Sequence, residues 1–249
     1  MRVIFIAAGS STRFGKISKE LPKGLLDING KTIIERQISL FRKNNIEDFV
    51  IITGPHQEKF NIKNVRYVND TAHNLHDVLC SLMEAREFLE GDIITTYSDI
   101  IFDESILFQV LNSKSDIGIV VDMNWEENYI GRIEHPKSQA DNVLIENGKI
   151  IKIEKNIINI QDNQTLGEFV GLMKLSKGGS KLFRKKFNQL EKNHKGPFHE
   201  APSLLQSYLT DMLQELIDSN IKVDPIITKG KWCEIDTPQD LERAKKLFK

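Results

Sequence analysis

Apolar residues along this chain fall into short β-branched runs, separated by stretches where they recur every three or four positions. Arg2 to Ala7 is the first run, with no polar alternation, and reads as a strand covered on both faces. A polar, glycine-containing loop follows from Gly9 to Pro22, then Leu25 to Ile28 and an Asn29-Gly30 turn signal. Thr32 and Glu35 have capping-box spacing and open a helix to about Asn44, with Ile34, Ile38 and Phe41 on one face. Phe49 to Thr53 is a second apolar strand, and this strand, helix, strand order predicts a right-handed crossover between parallel neighbours. The rhythm continues with a strand at 65–68, a helix over 74–89, a strand over 92–97, a short helix over 105–111 and a strand over 117–121. Such alternation predicts a doubly wound α/β sheet.

Between Asp122 and Leu166 the rhythm breaks. Residues 142–154 read as a β-hairpin turning at Asn147-Gly148. A strand over 168–175 follows, then helices near 177–190 and 202–217, strands at 223–228 and 232–235, and a helix opened by Thr237-Pro238. With no repeat and no long linker, the pattern predicts one domain over 1–249. A nucleotide half covers about 1–122, and an inserted β element about 123–220.

Composition changes this picture little. The chain has 249 residues, 40% hydrophobic and 28% charged, which excludes fibrous and wholly disordered classes. Its longest apolar stretch, Val3 to Ala8, is far short of a membrane span or a signal-peptide core. The expectation is a cytoplasmic protein. A net charge of -1 argues against a general nucleic-acid binder, while leaving room for a local basic groove. Cys80 and Cys233 lack any metal-type spacing and are expected to be reduced, buried thiols. His73 and His76 form H-x-x-H without a third ligand at an obvious spacing, so zinc is not expected.

The strongest chemical signal follows the first strand: Ala7, Ala8, Gly9, Ser10, Ser11, Thr12 and Arg13, then Pro22-Lys23-Gly24-Leu25. Small residues there let a ligand lie against the backbone, whose N–H groups can cradle phosphates, and Arg13 and Lys23 supply charge. It is neither a Walker A loop nor G-x-G-x-x-G. The pattern resembles the nucleotidyltransferase superfamily that joins a nucleoside monophosphate to a sugar phosphate or polar-alcohol phosphate, whose signature is A-A-G-x-G-[ST]-R-[LMF] followed by P-K-x-L. Ser11 departs from it, standing where the family usually has glycine. The resemblance extends through Gly30-Lys31 and the Trp232 to Thr237 segment, so it spans nearly the whole chain. It implies a Rossmann-like, doubly wound mixed sheet with an inserted β acceptor-binding element.

The same resemblance implies Mg²⁺ held by an aspartate after an internal strand and by an acidic residue near the C-terminus, matched by Asp99 and Asp236. The stretch from Asn69 to Ser81 looks most like the branch that uses CTP with phosphocholine or small phosphonates such as 2-aminoethylphosphonate. Asn74 and Ser81 then become candidate base or ribose contacts. Segments around Tyr129, Arg132, Glu168 and Asp211, with Lys155, fall where an acceptor pocket belongs. For an amino acceptor, Glu168, Asp211 and Tyr129 are the groups that would meet an ammonium. A phosphate or phosphonate monoester has a second pKa of about 6, so the nucleophile is already dianionic at pH 7 and needs no general base. What it needs is positive charge: Arg13 at the β- and γ-phosphates and Lys23 at the α-phosphate. Transfer to a sugar 1-phosphate and a non-catalytic nucleotide-binding relative stay open as alternatives, and a homodimer is compatible with either.

Overall fold

The computed structural model describes residues 1–9, 14 and 21–249. Strand β1 (Arg2–Ala7) lies inside a mixed sheet. A short hairpin, β2 (Asp27–Ile28) and β3 (Lys31–Thr32), leads into α1 (Ile33–Lys43). Then come β4 (Asp48–Thr53), β5 (Arg66–Asn69), α2 (Val78–Glu84), β6 (Ile93–Tyr97), β7 (Ile100–Phe102), α3 (Glu104–Asn112) and β8 (Ile117–Asp122). The hairpin β9 (Asp141–Glu146) and β10 (Lys149–Lys155) is followed by β11 (Gln164–Leu175), α4 (Lys177–Asn193) and α5 (Leu209–Asp218). The described chain ends through β12 (Asp224–Thr228), β13 (Trp232–Glu234) and α6 (Pro238–Leu247).

The main sheet runs β10-β9-β11-β6-β1-β4-β5, with β8 joining β11 to β12. β1 pairs in parallel with both β4 and β6, as the crossover rule predicts, whereas β11 runs antiparallel to β6, β8 and β9. The sheet is therefore mixed. Alternation along β1 sends Val3, Phe5 and Ala7 into one core and Ile4, Ile6 and Ala8 into the other. Phe5 meets Phe41 of α1 edge-on at 6.1 Å between ring centroids. The opposite face is filled by α2, α4 and α5, through residues such as Leu79, Phe183 and Leu213. The Thr32–Glu35 capping box is formed: the Glu35 N–H donates to Thr32 Oγ1 at 3.2 Å, and the Thr32 N–H to Glu35 at 2.8 Å. At the hairpin tip Asn147 and Gly148 both take positive φ (51° and 74°), the backbone that an Asn-Gly turn serves.

Two helices are shorter than the periodicity predicts. The stretch 74–89 becomes turns followed by α2, and Leu75, expected on the buried face, is 70% exposed. The buried Asp70 carboxylate draws the Ala72 N–H and the His76 ring toward itself, which delays the helix until Asp77. Similarly, 202–217 begins as a short 3₁₀ turn, and α5 starts only at Leu209, leaving Leu205 exposed. Strand β7 has no separate sequence signal because it follows β6 almost directly. It pairs antiparallel with β13, apart from the main sheet. Cys80 and Cys233 are buried free thiols. Among the described residues no helix is long and apolar enough to cross a membrane.

Candidate active site

The carboxyl ends of β1 and β6 open onto a cavity of about 300 Å³, where ligands bind in open α/β sheets. Ala7, Ala8 and Gly9 form part of its wall, and Lys23 lines it as well. Lys23 opens a 3₁₀ turn directly after Pro22. The following residue must be small: a Cβ on Gly24 would lie 2.6 Å from Ile34 Cδ1 and 3.1 Å from Ser98 Cβ. That close approach seats the turn against α1 and the end of β6. Arg13, Ser10, Ser11 and Thr12 lie outside the described residues.

Asp99 and Asp236 are far apart in sequence, and the β7–β13 pairing brings them together. The two segments are tied directly, since the Ile235 N–H donates to the Asp99 carbonyl at 2.8 Å. Gln37 of α1, itself buried, fixes the β6–β7 turn that carries Asp99: its side-chain amide donates to the carbonyls of Tyr97 and Ile100 at 3.0 and 2.6 Å and accepts from Thr96. Asp236 is held from the other side by Asp240, which caps α6 by accepting from the Thr237 N–H and also takes the Asp236 N–H at 3.1 Å. The Lys23 ammonium lies between the two aspartates, 3.0 Å from Asp99 Oδ2 and in close contact with Asp236. Burial alone would lower the Lys23 pKa; Asp99 and Asp236 outweigh it and raise it above the ordinary lysine value.

His135 and Glu234 complete this acidic floor. His135 is buried, with Nδ1 2.7 Å from Asp236 Oδ2, and its ligand atom lies within 4.8 Å of those of Glu234 and Asp236. Burial raises the Glu234 pKa, and the nearby Asp236 raises it further. Beyond them, Asp141 and Lys155 line the cavity on the hairpin side, with the Lys155 ammonium 5.2 Å from the Tyr208 ring centroid. Burial pushes the Asp141 carboxyl up to about 6, even with Lys155 pulling it down.

The structure divides the residues expected at an acceptor site. Lys155 faces the cavity. Tyr129 donates to Glu168, and both line a smaller side pocket of about 30 Å³ that shares Tyr97, Gln139, Asp141 and Glu234 with the main cavity. Glu168 Oε2 is buried with no hydrogen-bond partner among the described residues, and burial holds the carboxyl well above the usual range. Arg132 and Asp211, by contrast, are absorbed by the fold. The Arg132 guanidinium pairs with Asp240 and Glu234, and Asp211 caps α5 by accepting from the backbone N–H groups of Tyr208 and Glu200. Ser81, a candidate base or ribose contact, also lines the cavity. Asn74 is exposed and outside the lining, which His73 and His76 supply instead.

His135, Glu234 and Asp141 were not marked by the sequence as site residues, and His76 was marked only as half of an H-x-x-H pair not expected to bind zinc; the fold brings all four to the cavity that Lys23 lines. Asp70 and Asp240 are likewise invisible in sequence, because a buried carboxylate that collects backbone and side-chain donors looks like any loop aspartate.

Residues 3–137 match the family described as MobA-like NTP transferase domain. The CTP:phosphoglutamine cytidylyltransferase of Campylobacter jejuni is 25% identical, the match covering 97% of this chain and 98% of that protein. Among solved structures, the CTP:phosphocholine cytidylyltransferase from Streptococcus pneumoniae superposes with a TM-score of 0.73 at 17% identity, over 100% of this chain and 99% of that one. The inositol-1-phosphate CTP transferase from T. maritima gives 0.72 at 19% identity, over 99% and 94%. At those identities the two structures speak for the fold.

Proposed function

Because the chain belongs to the MobA-like NTP transferase domain family, we propose that it is a cytidylyltransferase coupling CTP to a small phosphate or phosphonate acceptor, with release of pyrophosphate. The observation that carries this reading is the convergence of one lysine and two aspartates below the Ala7–Gly9 wall. The preference for CTP is supported by the name of the Campylobacter relative, which aligns along nearly its whole length.

The chemistry asked of the protein is electrostatic. An acceptor dianion must approach an anionic triphosphate, so charge has to be neutralised before in-line attack on the α-phosphorus. Lys23 is placed to take an α-phosphate oxygen, and Lys155, across the cavity, to hold the acceptor phosphate. The residues also suit Mg²⁺. Asp99 and Asp236 already converge on a single cation, the Lys23 ammonium, and offer the hard oxygen donors that Mg²⁺ takes alongside substrate phosphates. When bound, Mg²⁺ would supply charge neutralisation at the triphosphate. Asp99→Asn and Asp236→Asn are each expected to shift the magnesium titration of turnover to higher concentration under conditions where the variants are folded. An unchanged titration in both removes them as ligands.

The side pocket bears on the acceptor's far end. At about 30 Å³ it has room for one group the size of a water molecule, such as a primary ammonium, beside the Glu168 oxygen that has no partner among the described residues. Glu168→Gln is therefore expected to raise the KM of an amino acceptor strongly while the KM for CTP stays near normal. Equal KM changes for amino and hydroxyl acceptors would exclude Glu168 as the ammonium partner. The overall reading is tested by pyrophosphate release across a panel of nucleoside triphosphates and phosphate acceptors. Turnover is expected with CTP and a phospho-alcohol or aminoalkyl phosphonate; turnover confined to UTP or dTTP with sugar 1-phosphates overturns it.

A further inference from the structure

Asp70, directly after β5, is fully buried yet spends its whole carboxylate on the wall between β5 and α2. Oδ1 accepts the Ala72 N–H at 3.1 Å, while Oδ2 accepts the Ser81 hydroxyl at 2.7 Å and lies 2.8 Å from His76 Nε2. A carboxylate only accepts, so the ring nitrogen facing it carries the proton. The His76 side chain is 6% exposed, and the residue lines the cavity. With Nε2–H committed to Asp70, a ring carrying one proton has Nδ1 as its acceptor, and Nδ1 has no hydrogen-bond partner among the described residues.

Position says what that lone pair meets. The Ala7–Gly9 wall and Lys23 take the phosphates, and the Asp141–Lys155 side takes the acceptor, on the reading proposed above. The wall formed by His73, His76 and Ser81 is what remains for the nucleobase. Cytosine and uracil differ in two polar groups: at position 4 an exocyclic amine that donates stands against a carbonyl that accepts, and at N3 the order is reversed, an acceptor against an N–H donor. An acceptor fixed opposite position 4 pairs with the amine and is set lone pair to lone pair against the carbonyl.

We propose that His76, locked by Asp70 in its Nε2–H tautomer, is the residue that selects an amine-bearing pyrimidine over a carbonyl-bearing one, with Asp70 as its positioning residue. The proposal rests on the cytidylyltransferase reading and adds the means of discrimination. Asp70→Asn tests it with almost no change of shape. The amide oxygen can keep the Ala72 N–H, and the amide nitrogen then donates to His76 Nε2 and to Ser81. The ring must move its proton to Nδ1, turning the acceptor into a donor, the kind of tautomer reversal that an Asp-to-Asn change beside a histidine produces.

Binding of CTP and UTP is measured by calorimetry with magnesium, so that no acceptor is needed. Wild type is expected to favour CTP at least tenfold. Asp70→Asn should bring that ratio to unity or reverse it, and His76→Phe should weaken CTP binding without weakening UTP binding, which holds or tightens as the opposed lone pair is removed. Nitrogen-15 shifts of His76 in the wild-type protein should show Nδ1 unprotonated. Equal wild-type binding of CTP and UTP overturns the cytidylyltransferase reading, and this proposal with it. A wild-type CTP preference that survives in the folded variants, or a protonated Nδ1 in wild type, overturns the His76 assignment alone.

Discussion

Lys23→Ala is expected to lower kcat by about 10²–10³ while changing the KM for CTP far less, because its charge is needed most as negative charge moves onto pyrophosphate. The resting geometry sharpens this expectation. The ammonium sits between Asp99 and Asp236, the carboxylates proposed to hold magnesium, so on that proposal lysine and metal compete for one place. Removing the lysine leaves two facing carboxylates with less opposing charge, which should tighten magnesium binding even as turnover falls. General damage to the site would weaken both. Lys23→Met keeps most of the side-chain volume and should behave like alanine if charge is what counts. Steady-state kinetics and a calorimetric magnesium titration on each variant check the split. Near-normal turnover in either removes Lys23 from the chemistry.

How far this site could be read in the sequence depended on the range of the interaction. Local rules located β1, the capping box at Thr32, the Asn147-Gly148 hairpin and the Thr237-Pro238 helix start, because each depends on residues within a turn of one another. The convergence of Lys23, Asp99 and Asp236 came from a family motif rather than from spacing, and it required the β7–β13 pairing that no local pattern announced. Failures cluster where a buried polar group overrides periodicity. Residues 74–77 have helical spacing, yet Asp70 pulls the backbone at Ala72 and the ring of His76 into turns. Asp211 lies in a segment that resembles an acceptor-side motif, and the backbone N–H groups of Tyr208 and Glu200 claim both its oxygens. A carboxylate's role is set by the donors the fold brings to it, and those donors can lie anywhere in the chain.

Arg132 shows what that costs when the donors are charged. The segment around it resembles an acceptor-binding stretch, yet its side chain is 5% exposed and its guanidinium forks onto Asp240 at 2.6 and 3.0 Å, with Glu234 at 3.0 Å. Burial alone would lower the pKa of this arginine; hydrogen bonding to Asp240 and the charge of Glu234 outweigh it and hold it fully protonated. Arg132→Ala would leave the Asp240 carboxylate, 0% exposed, without its cation, and removing one partner of a buried pair costs roughly 3–5 kcal/mol. The expected result is a lower denaturant midpoint with the m-value unchanged. A second consequence follows from what Asp240 holds: it accepts the N–H groups of Asp236 and Thr237, so loosening it displaces a proposed magnesium ligand. Under conditions where the variant is folded, its magnesium requirement should therefore rise before its KM for the acceptor does. A stability close to wild type, together with a selective rise in acceptor KM, would return Arg132 to the substrate site.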